Sequence, residues 1–326
     1  MTKYHRFPLA GAAALVLLGA AGPGEAQQNR NFDAVEIKVL PVRGNVYMLV
    51  GAGGNVTVQV GDEGILVVDT MFAELSDKLL ATLRTLSGQP IRYVINTHAH
   101  PDHIGGNASI AKAGSTIAGG NVNMAISDPK VGAAVVAHEA VLESMSTREP
   151  ALPFEGWPTS TYNTPYKDLF FNGEAIQIIH EPGAHTKGDS IVFFRRSDVI
   201  STGDIFVTTR YPFIDAKNGG TVKGIIDALN HIIDLAIPED KQEGGTYIVP
   251  GHGRLCDESE VVEYRDMLTI VRSDIQEMIK EGKSLEQVLK ARPTFGFDAR
   301  YGADSGFWTT KQFVEAVYRE LKQGRK

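Results

Sequence analysis

The sequence is poor in cysteine, with Cys256 as the only one among 326 residues. No intrachain disulfide can form, so the stability of the fold has to come from an apolar core and from any bound ion. The composition, 43% hydrophobic and 22% charged, is ordinary for a globular protein with a large core. A disulfide-stapled fold is therefore excluded, and Cys256 itself is interpreted as a small packed residue.

Runs of basic residues are also missing. Lysine and arginine total 32 against 39 aspartate and glutamate residues, and the formal net charge is −7. A protein that binds nucleic acid usually presents a basic patch or stripe to the phosphate backbone. This charge balance argues against nucleic acid as the main partner.

The sequence has one long apolar run, from about Phe7 to Ala21. Basic residues precede it and small residues follow it up to Ala26, which is the pattern of a secretory signal peptide over residues 1–26. The run is short for a membrane span, with an uncleaved N-terminal anchor as the alternative. No cysteine lies directly after it, which disfavours a lipid anchor. We expect a protein secreted to the bacterial periplasm, with a flexible segment over 27–34 and no stable membrane insertion after cleavage.

Short β-rich runs separated by glycine-rich turns begin at about Val35, and helical patterns alternate with strands from Leu75 onward. This αβ alternation predicts strands over 37–40, 46–50, 56–60, 65–68, 91–95, 115–118, 175–179, 190–194, 198–202 and 247–249. Helices are predicted over 75–86, 109–113, 131–145, 222–234 and 258–280, and from the capping boxes at Ser284 and Thr309. The segment over 148–168, rich in proline and aromatic residues, is interpreted as irregular.

The densest group of metal-binding side chains follows the fifth predicted strand. Residues 97–106 read THAHPDHIGG and hold three of the nine histidines. His98 and His100 are two positions apart, so in extended backbone they point to one face and can bind one metal together. The proline after them turns the chain, which can bring Asp102 and His103 to a second metal nearby. Imidazole and carboxylate ligands suit zinc.

Three later predicted strands each end in one ligand-type residue on a glycine-containing turn: His185, Asp204 and His252. A polar residue at a strand end is usually a turn former, and each of these alone would be weak evidence for a metal site. Three repetitions, together with the histidine cluster, favour one shared site. His138 and Glu139 lack a second histidine at helical spacing and are interpreted as a surface pair.

From about Val35 to Gly253 the chain resembles the metallo-β-lactamase-fold superfamily of metallohydrolases. Its HAHPDH sequence matches the H-x-H-x-D-H motif of that family, and the three later turns match the family's later motifs. The resemblance implies an α/β fold, a four-layer αββα sandwich, with a catalytic domain over 35–256. Residues 257–326 are expected to form a C-terminal helical extension packed on the same domain.

The resemblance also implies a dinuclear site with two Zn²⁺ ions per chain. One ion would be bound by His98, His100 and His185 and the second by Asp102, His103 and His252, with Asp204 bridging the two. The residues expected to orient the histidines are Asp69, Thr97 and Thr186. A hydroxide between the metals would attack a carbonyl, or a phosphoryl or sulfuryl centre, with Asp102 as the catalytic residue that positions or accepts the proton.

Substrate choice is weakly encoded. His103 together with Asp204 is closer to the glyoxalase II-like, lactonase-like and quinoprotein-associated branches of the family than to dedicated β-lactamases. The predicted substrates are small-molecule esters, thioesters, lactones or β-lactams, and the predicted contacts are Tyr211, Phe213 and Lys217. Two alternatives stay open on the same fold: a mononuclear iron dioxygenase of sulfur compounds, and a periplasmic accessory protein of quinoprotein oxidation. The sequence leaves the oligomeric state open.

Overall fold

The computed structural model describes residues 31–116, 132–149 and 152–324. The predicted signal peptide and part of the strand predicted over 115–118 lie outside these residues. Within the segment predicted to be flexible, Phe32–Ala34 form a 3-10 turn. The Lys78 ammonium donates hydrogen bonds to the Phe32 and Asp33 carbonyls of this turn. Among the described residues, no helix is both long and apolar enough to cross a membrane.

Strands β1 to β7 form a mixed sheet whose order follows the sequence. Their bounds are Lys38–Arg43, Val46–Val50, Val56–Gly61, Gly64–Val68, Ile91–Ile95, Ala134–His138 and Ser160–Tyr162. Strands β1 to β4 pair antiparallel, with Tyr47 opposite Val58, and β4 to β7 pair parallel, with Val94 opposite Val135. Parallel strands have their carboxyl ends at one edge, so the residues that follow β4 and β5 come together there.

Strands β8 to β12 form a second sheet in the order β12-β11-β10-β9-β8. Their bounds are Tyr166–Phe171, Glu174–His180, Ser190–Phe194, Val199–Ser201 and Tyr247–Val249. The pairs from β8 to β11 are antiparallel, whereas β11 and β12 are parallel, with Ile200 opposite Ile248. The parallel pair again places two strand ends side by side.

Nine α-helices occur among the described residues. Their bounds, α1 to α9, are Ser76–Leu86, Pro101–Ile104, Asn107–Ala113, Glu139–Ser146, Val222–Leu235, Glu258–Lys280, Leu285–Ala291, Asp298–Tyr301 and Thr310–Gln323. Helices α1 and α3 pack on the outer face of the first sheet, and α5, α6 and α9 share one core with residues of the second sheet. The predicted capping boxes at Ser284 and Thr309 begin α7 and α9.

Strand β4 shows how the sequence produces the layers. All five of its residues are buried. Ile65 and Val67 pack toward α1 and α3, whereas Leu66 and Val68 pack toward the second sheet. Alternate side chains of a strand point to opposite faces, so a strand that is covered on both sides is apolar throughout. The order of layers is helix, sheet, sheet, helix, which confirms the predicted αββα sandwich.

Two predicted segments were wrong. Residues 134–138, expected to be part of a helix over 131–145, form β6, and α4 begins only after this strand. Val135 and Val136 are buried and β6 lies parallel to β5. A short apolar run that is buried on both faces has no distinctive period, so period alone cannot separate it from a helix. The segment over 148–168, expected to be irregular, contains β7 and the first residues of β8.

Candidate metal centre

The predicted ligands come together at one edge of the sandwich because each follows the end of a strand. The cluster after β5 runs into α2, and the loops after β9, β11 and β12 supply His185, Asp204 and His252. Their side chains form two groups in which the potential ligand atoms lie within 4.8 Å of one another. The first group is His98, His100, His185 and Asp204, and the second is Asp102, His103 and His252.

In the first group, one nitrogen of each histidine ring faces the other rings. His98 Nε2 is buried and has no hydrogen-bond partner among the described residues. His100 Nδ1 and His185 Nε2 lie 2.9 Å apart. The His98 ring centroid lies 4.8 Å from each of the other two centroids. Buried polar atoms are nearly always partnered, so three converging imidazoles with an unpartnered nitrogen fit a bound cation.

The opposite nitrogen of each of these rings is held by the protein. The partners are Thr97 Oγ1 for His98 Nδ1 at 3.0 Å, Asp215 Oδ2 for His100 Nε2 at 2.9 Å, and the Phe213 carbonyl for His185 Nδ1 at 2.6 Å. Such partners fix both the orientation and the tautomer of an imidazole. They leave the inward nitrogens available as ligands.

The second group is looser. His103 Nε2 lies 3.4 Å from His252 Nε2, and Asp102 Oδ2 lies 3.4 Å from His252 Nε2 and 3.9 Å from His103 Nε2. The His103 side chain is fully buried, whereas the Asp102 side chain is 24% exposed. Asp102 is therefore the most exposed member of this group, followed by His252 at 15%.

Asp204 lies between the two groups. Its Oδ1 is 3.2 Å from both His103 Nε2 and His252 Nε2, and its Oδ2 is 4.0 Å from His185 Nε2. Burial acts to raise the pKa of Asp204, but His252 and His103 hold it well below its usual value. One ionised carboxylate thus faces both groups, as a bridging ligand would.

Asp69 connects β4 to the histidine cluster. Its backbone is left-handed, with φ of +64°. Its Oδ1 accepts a hydrogen bond from Thr97 N at 2.8 Å, and its Oδ2 lies 2.7 Å from both Thr97 Oγ1 and His103 Nδ1. A non-glycine residue in this region is uncommon and persists where the surrounding structure fixes it. The strained backbone at the end of β4 therefore places a carboxylate that orients His103.

The histidines are held in different protonation states. Burial, followed by the neighbouring histidines, lowers the pKa of His98 well below its usual value, and burial and His100 lower that of His185 to about 4. Burial acts to lower the pKa of His103 as well, but Asp204 and Asp69 raise it well above the usual value. Neutral imidazoles bind metal ions and cationic ones do not. His98 and His185 are therefore ready to bind a cation at neutral pH, whereas His103 has to give up a proton when it binds one.

The chemistry of the ligand atoms indicates which kind of metal ion the site could bind. Five imidazoles and two carboxylates with inward-facing atoms match the ligand preferences of zinc and other borderline divalent metals. Backbone approaches closely on two sides, since a side chain at Gly54 would collide with His103 and one at Gly251 would collide with Asp204. The residues present thus fit two metal ions in a tightly enclosed site.

The family follows from a comparison with known proteins. Residues 49–288 match the family model of the metallo-beta-lactamase superfamily. The chain belongs to this superfamily. The match covers β3 to β12 and all seven candidate ligands, and it confirms the family inferred from the H-x-H-x-D-H motif.

Several superfamily relatives are similar to this chain. A linear primary-alkylsulfatase from Pseudomonas sp. is 47% identical over 45 residues, which cover 14% of this chain and 8% of that protein. The solved structure of a stereoselective inverting sec-alkylsulfatase from Pseudomonas sp. has a TM-score of 0.64 at 15% identity, covering 87% of this chain and 50% of that one. A metallo-beta-lactamase from Pontibacter korlensis has a TM-score of 0.55 at 16% identity, covering 72% and 99%.

These likenesses differ in what they cover. The chain spans half the length of the sec-alkylsulfatase and a small fraction of the primary one. At 15% and 16% identity the structural comparisons show the fold alone. They place the chain in the metallo-β-lactamase fold without showing its reaction.

Of the three residues predicted to orient the histidines, two contact candidate ligands and one does not. Asp69 and Thr97 hydrogen-bond His103 and His98. Thr186 instead donates from its backbone and side chain to Asp189, and none of its described hydrogen bonds reaches a candidate ligand.

The three predicted substrate contacts also diverge. The Phe213 ring is stacked on His100, with centroids 5.7 Å apart. Lys217 lies on the exposed 3-10 turn over Ala216–Asn218. Tyr211 is almost fully buried and stacks on Phe313, so this predicted contact was wrong. Its phenol donates to the Thr294 carbonyl and to Asp298, which holds the ring in the core instead of the cleft.

Two residues at the site were not predicted. Burial acts to raise the pKa of Asp215, but hydrogen bonds from His100 and Asn218 lower it to about 2, so it is an ionised partner of His100. Arg210 Nη2 lies 3.6 Å from Asp204 Oδ2. Both residues lie in the loop after Asp204, where single charged residues carry no local pattern that separates a site residue from a solvated one.

Proposed function

We propose that this protein is a secreted, zinc-dependent hydrolase that acts on ester-type bonds of small molecules. The observation that supports it is the set of converging ligand atoms, each histidine of the first group being held by its other nitrogen. His98, His100 and His185 would hold one ion, and Asp102, His103 and His252 the other, with Asp204 shared. Zinc bound there supplies a hydroxide nucleophile at neutral pH and polarises the oxygen of the substrate.

The side chains of the chain itself perform the remaining tasks. Thr97, Asp215 and Asp69 hold imidazole tautomers, so the inward nitrogens do not have to reorganise during turnover. The partly exposed carboxylate of Asp102 would accept a proton from the nucleophile and return it to the leaving group. Phe213 packs against the His100 and His185 rings of the first group.

The predicted substrate is a carbonyl compound, namely an ester, thioester, lactone or β-lactam. A second candidate, an alkyl sulfate ester, is favoured by the likeness to the two alkylsulfatases. Both reactions need the same ligand set, because each is the attack of a hydroxide on a polarised centre with departure of an oxygen, sulfur or nitrogen group. Secretion rests on the signal-peptide pattern over residues 1–26.

The test uses zinc-loaded protein and a panel of esters, thioesters, lactones, β-lactams and alkyl sulfates. His100→Ala is expected to lower both zinc content and hydrolysis, because it removes a ligand from the centre of the first group. His231→Gln is the matched control, since His231 pairs with Glu181 outside both ligand groups. Full activity of the His100 variant at unchanged metal content would refute the proposal.

The alternatives on the same fold give different results in the same experiment. A sulfur dioxygenase would require iron and consume oxygen, so an anaerobic assay of iron-loaded protein separates it from a hydrolase. An accessory protein would turn over none of the panel substrates with either metal. Retention of hydrolysis without oxygen is the result expected here.

A further inference from the structure

A cationic side chain lies beside the candidate metal centre, and its guanidinium has no hydrogen-bond partner in the described part of the chain. Arg210 Nη2 is 3.6 Å from Asp204 Oδ2, which is too long for a hydrogen bond. Its Nε is buried and unpartnered among the described residues, although the side chain as a whole is 28% exposed. The Tyr264 hydroxyl donates to the Arg210 carbonyl at 3.1 Å, so the backbone is fixed where the guanidinium meets the site.

Asp204 forms an ion pair with Arg210, but at 3.6 Å it accepts no hydrogen bond from the guanidinium. That carboxylate already faces His103 and His252 at 3.2 Å through its other oxygen. A guanidinium offers five donors in a planar fork that matches carboxylate and sulfate groups. Its donors at this position are therefore available to an anionic group that enters the cleft.

An aromatic surface packs on the histidines of the first group. The Phe213 ring is 5.7 Å from the His100 ring and 5.6 Å from the His185 ring. Both Phe307 and Trp308 contact Phe213 edge-on, with centroids 4.8 Å away. We call Phe213, Phe307 and Trp308 the aromatic wall.

The C-terminal part of the aromatic wall is held in place. Ala303 and Thr310 are joined by two hydrogen bonds of 2.9 Å, from Thr310 N to the Ala303 carbonyl and from Ala303 N to the Thr310 hydroxyl. These bonds close the base of the loop that presents Phe307 and Trp308. Phe307 is 52% exposed. The wall is thus a fixed apolar surface that faces a ligand or solvent.

We propose that Arg210 and the aromatic wall select substrates in which a carboxylate or sulfate-type anion is joined to an apolar body. Arg210 and Phe213 both lie near His185, because Arg210 approaches the Asp204 oxygen that is 4.0 Å from His185 Nε2, and Phe213 packs on the His185 ring. Arg210 binds the anion and the wall covers the apolar part. The inference deepens the proposed function and rests on it for the reacting centre.

Binding of unreactive amphiphiles tests the inference without turnover. The probes are octanesulfonate and octanoate, with octanol as the neutral control, below their aggregation concentrations and on zinc-loaded full-length protein. The chain has two tryptophans, so the Trp157→Phe background leaves Trp308 as the only fluorescent reporter in the wall. Calorimetry on the same samples gives affinities that do not depend on the fluorescence change. Both anions are expected to bind at least ten times more tightly than octanol.

Arg210→Gln is expected to weaken the affinity for the anionic probes by about 10- to 100-fold, since it removes a charge-assisted hydrogen bond. The affinity for octanol should change by no more than about twofold. Arg210→Lys keeps the charge and loses the planar fork, so its affinity for the anions should lie between those of the unmodified protein and Arg210→Gln. Arg319→Gln on the exposed face of α9 is the matched control. Phe307→Ala should weaken the affinity for all three probes by a similar factor.

The results separate this inference from the proposed function. Loss of anion binding in the Arg210 variant supports the inference even if no panel substrate is hydrolysed, and the stronger of the two anionic probes identifies the head group. Equal affinity of octanol and both anions for the unmodified protein would overturn it. Unchanged anion affinity in Arg210→Gln, at matched zinc content, would overturn it as well.

Discussion

The carboxylate of Asp69 provides a demanding test of how the site is held, because one substitution changes a single atom type. In Asp69→Asn the backbone can stay left-handed, since asparagine tolerates that region. The oxygen that accepts from Thr97 N can also stay. The second oxygen, which lies 2.7 Å from both Thr97 Oγ1 and His103 Nδ1, becomes an NH₂ group.

The change acts through the tautomer of His103. With Asp69 present, the Nδ1 proton is held by the carboxylate, so Nε2 is the nitrogen that gives up its proton when a metal binds. An NH₂ group cannot accept that proton, and it favours the tautomer in which Nε2 is protonated. This nitrogen is the one that faces Asp204 and His252. Zinc then has to restore the unfavourable tautomer, which we expect to cost about 10- to 100-fold in affinity, or about 1.4–2.8 kcal/mol.

Competition with a chromogenic chelator at pH 7.5 measures the zinc affinity, and thermal unfolding of the zinc-free protein shows whether the fold is intact. Asp168→Asn is the matched control, since Asp168 lies on the exposed face of β8 and accepts a hydrogen bond only from Gln177. A zinc affinity of Asp69→Asn within twofold of the unmodified protein would refute the tautomer argument.

Two further predictions concern stability. Glu174 is buried and accepts four hydrogen bonds, two of them from Ser197. Glu174→Gln should therefore lower the free energy of unfolding, measured in urea, by about 1–3 kcal/mol. An unchanged midpoint of the urea transition would contradict this prediction. Burial and His180 lower the pKa of His138 from 6.5 to about 4. Between these pH values the unfolded chain binds the proton and the folded protein does not, so the stability of the fold should fall as the pH drops from 6.5 to 4. His138→Asn keeps a side chain that can cap the helix at Ala140 N. The melting temperature of the zinc-free variant should depend less on pH over this range. An unchanged slope of melting temperature against pH would contradict this prediction.

The part of the site that could be predicted from the sequence is the part whose geometry is local. His98 and His100 follow a strand at a spacing of two, and Thr97 is adjacent to the ring that it contacts. The turns at Asp204 and His252 each follow a short apolar run. Such features depend on strand geometry and turn chemistry, which a few consecutive residues determine.

The remainder depends on contacts between distant residues. Asp215 meets His100 across 115 positions, and nothing in the loop around it distinguishes it from a solvated aspartate. Tyr211 has the same local appearance as Phe213, yet it is buried by helices that follow about 90 residues later. Strand β6 was missed for a related reason, since burial on both faces is a tertiary property that removes the alternation of a strand.

The C-terminal helices, which the sequence presents only as a scaffold, are connected to the ligands through the loop after Asp204. The Tyr264 hydroxyl on α6 donates to the Arg210 carbonyl, and Tyr211 N donates to the Tyr301 carbonyl on α8. The same loop then supplies the Phe213 carbonyl to His185 and the Asp215 carboxylate to His100.

Two of the three first-group histidines are therefore oriented by a loop that α6 and α8 hold in place. The loop also carries Arg210 and the first residue of the aromatic wall, so the elements that fix the metal ligands and those that recognise the substrate share one support. Substitutions in this C-terminal support would shift metal affinity and substrate preference together, whereas Phe307 and Trp308 contact no ligand in the described structure and can change preference alone.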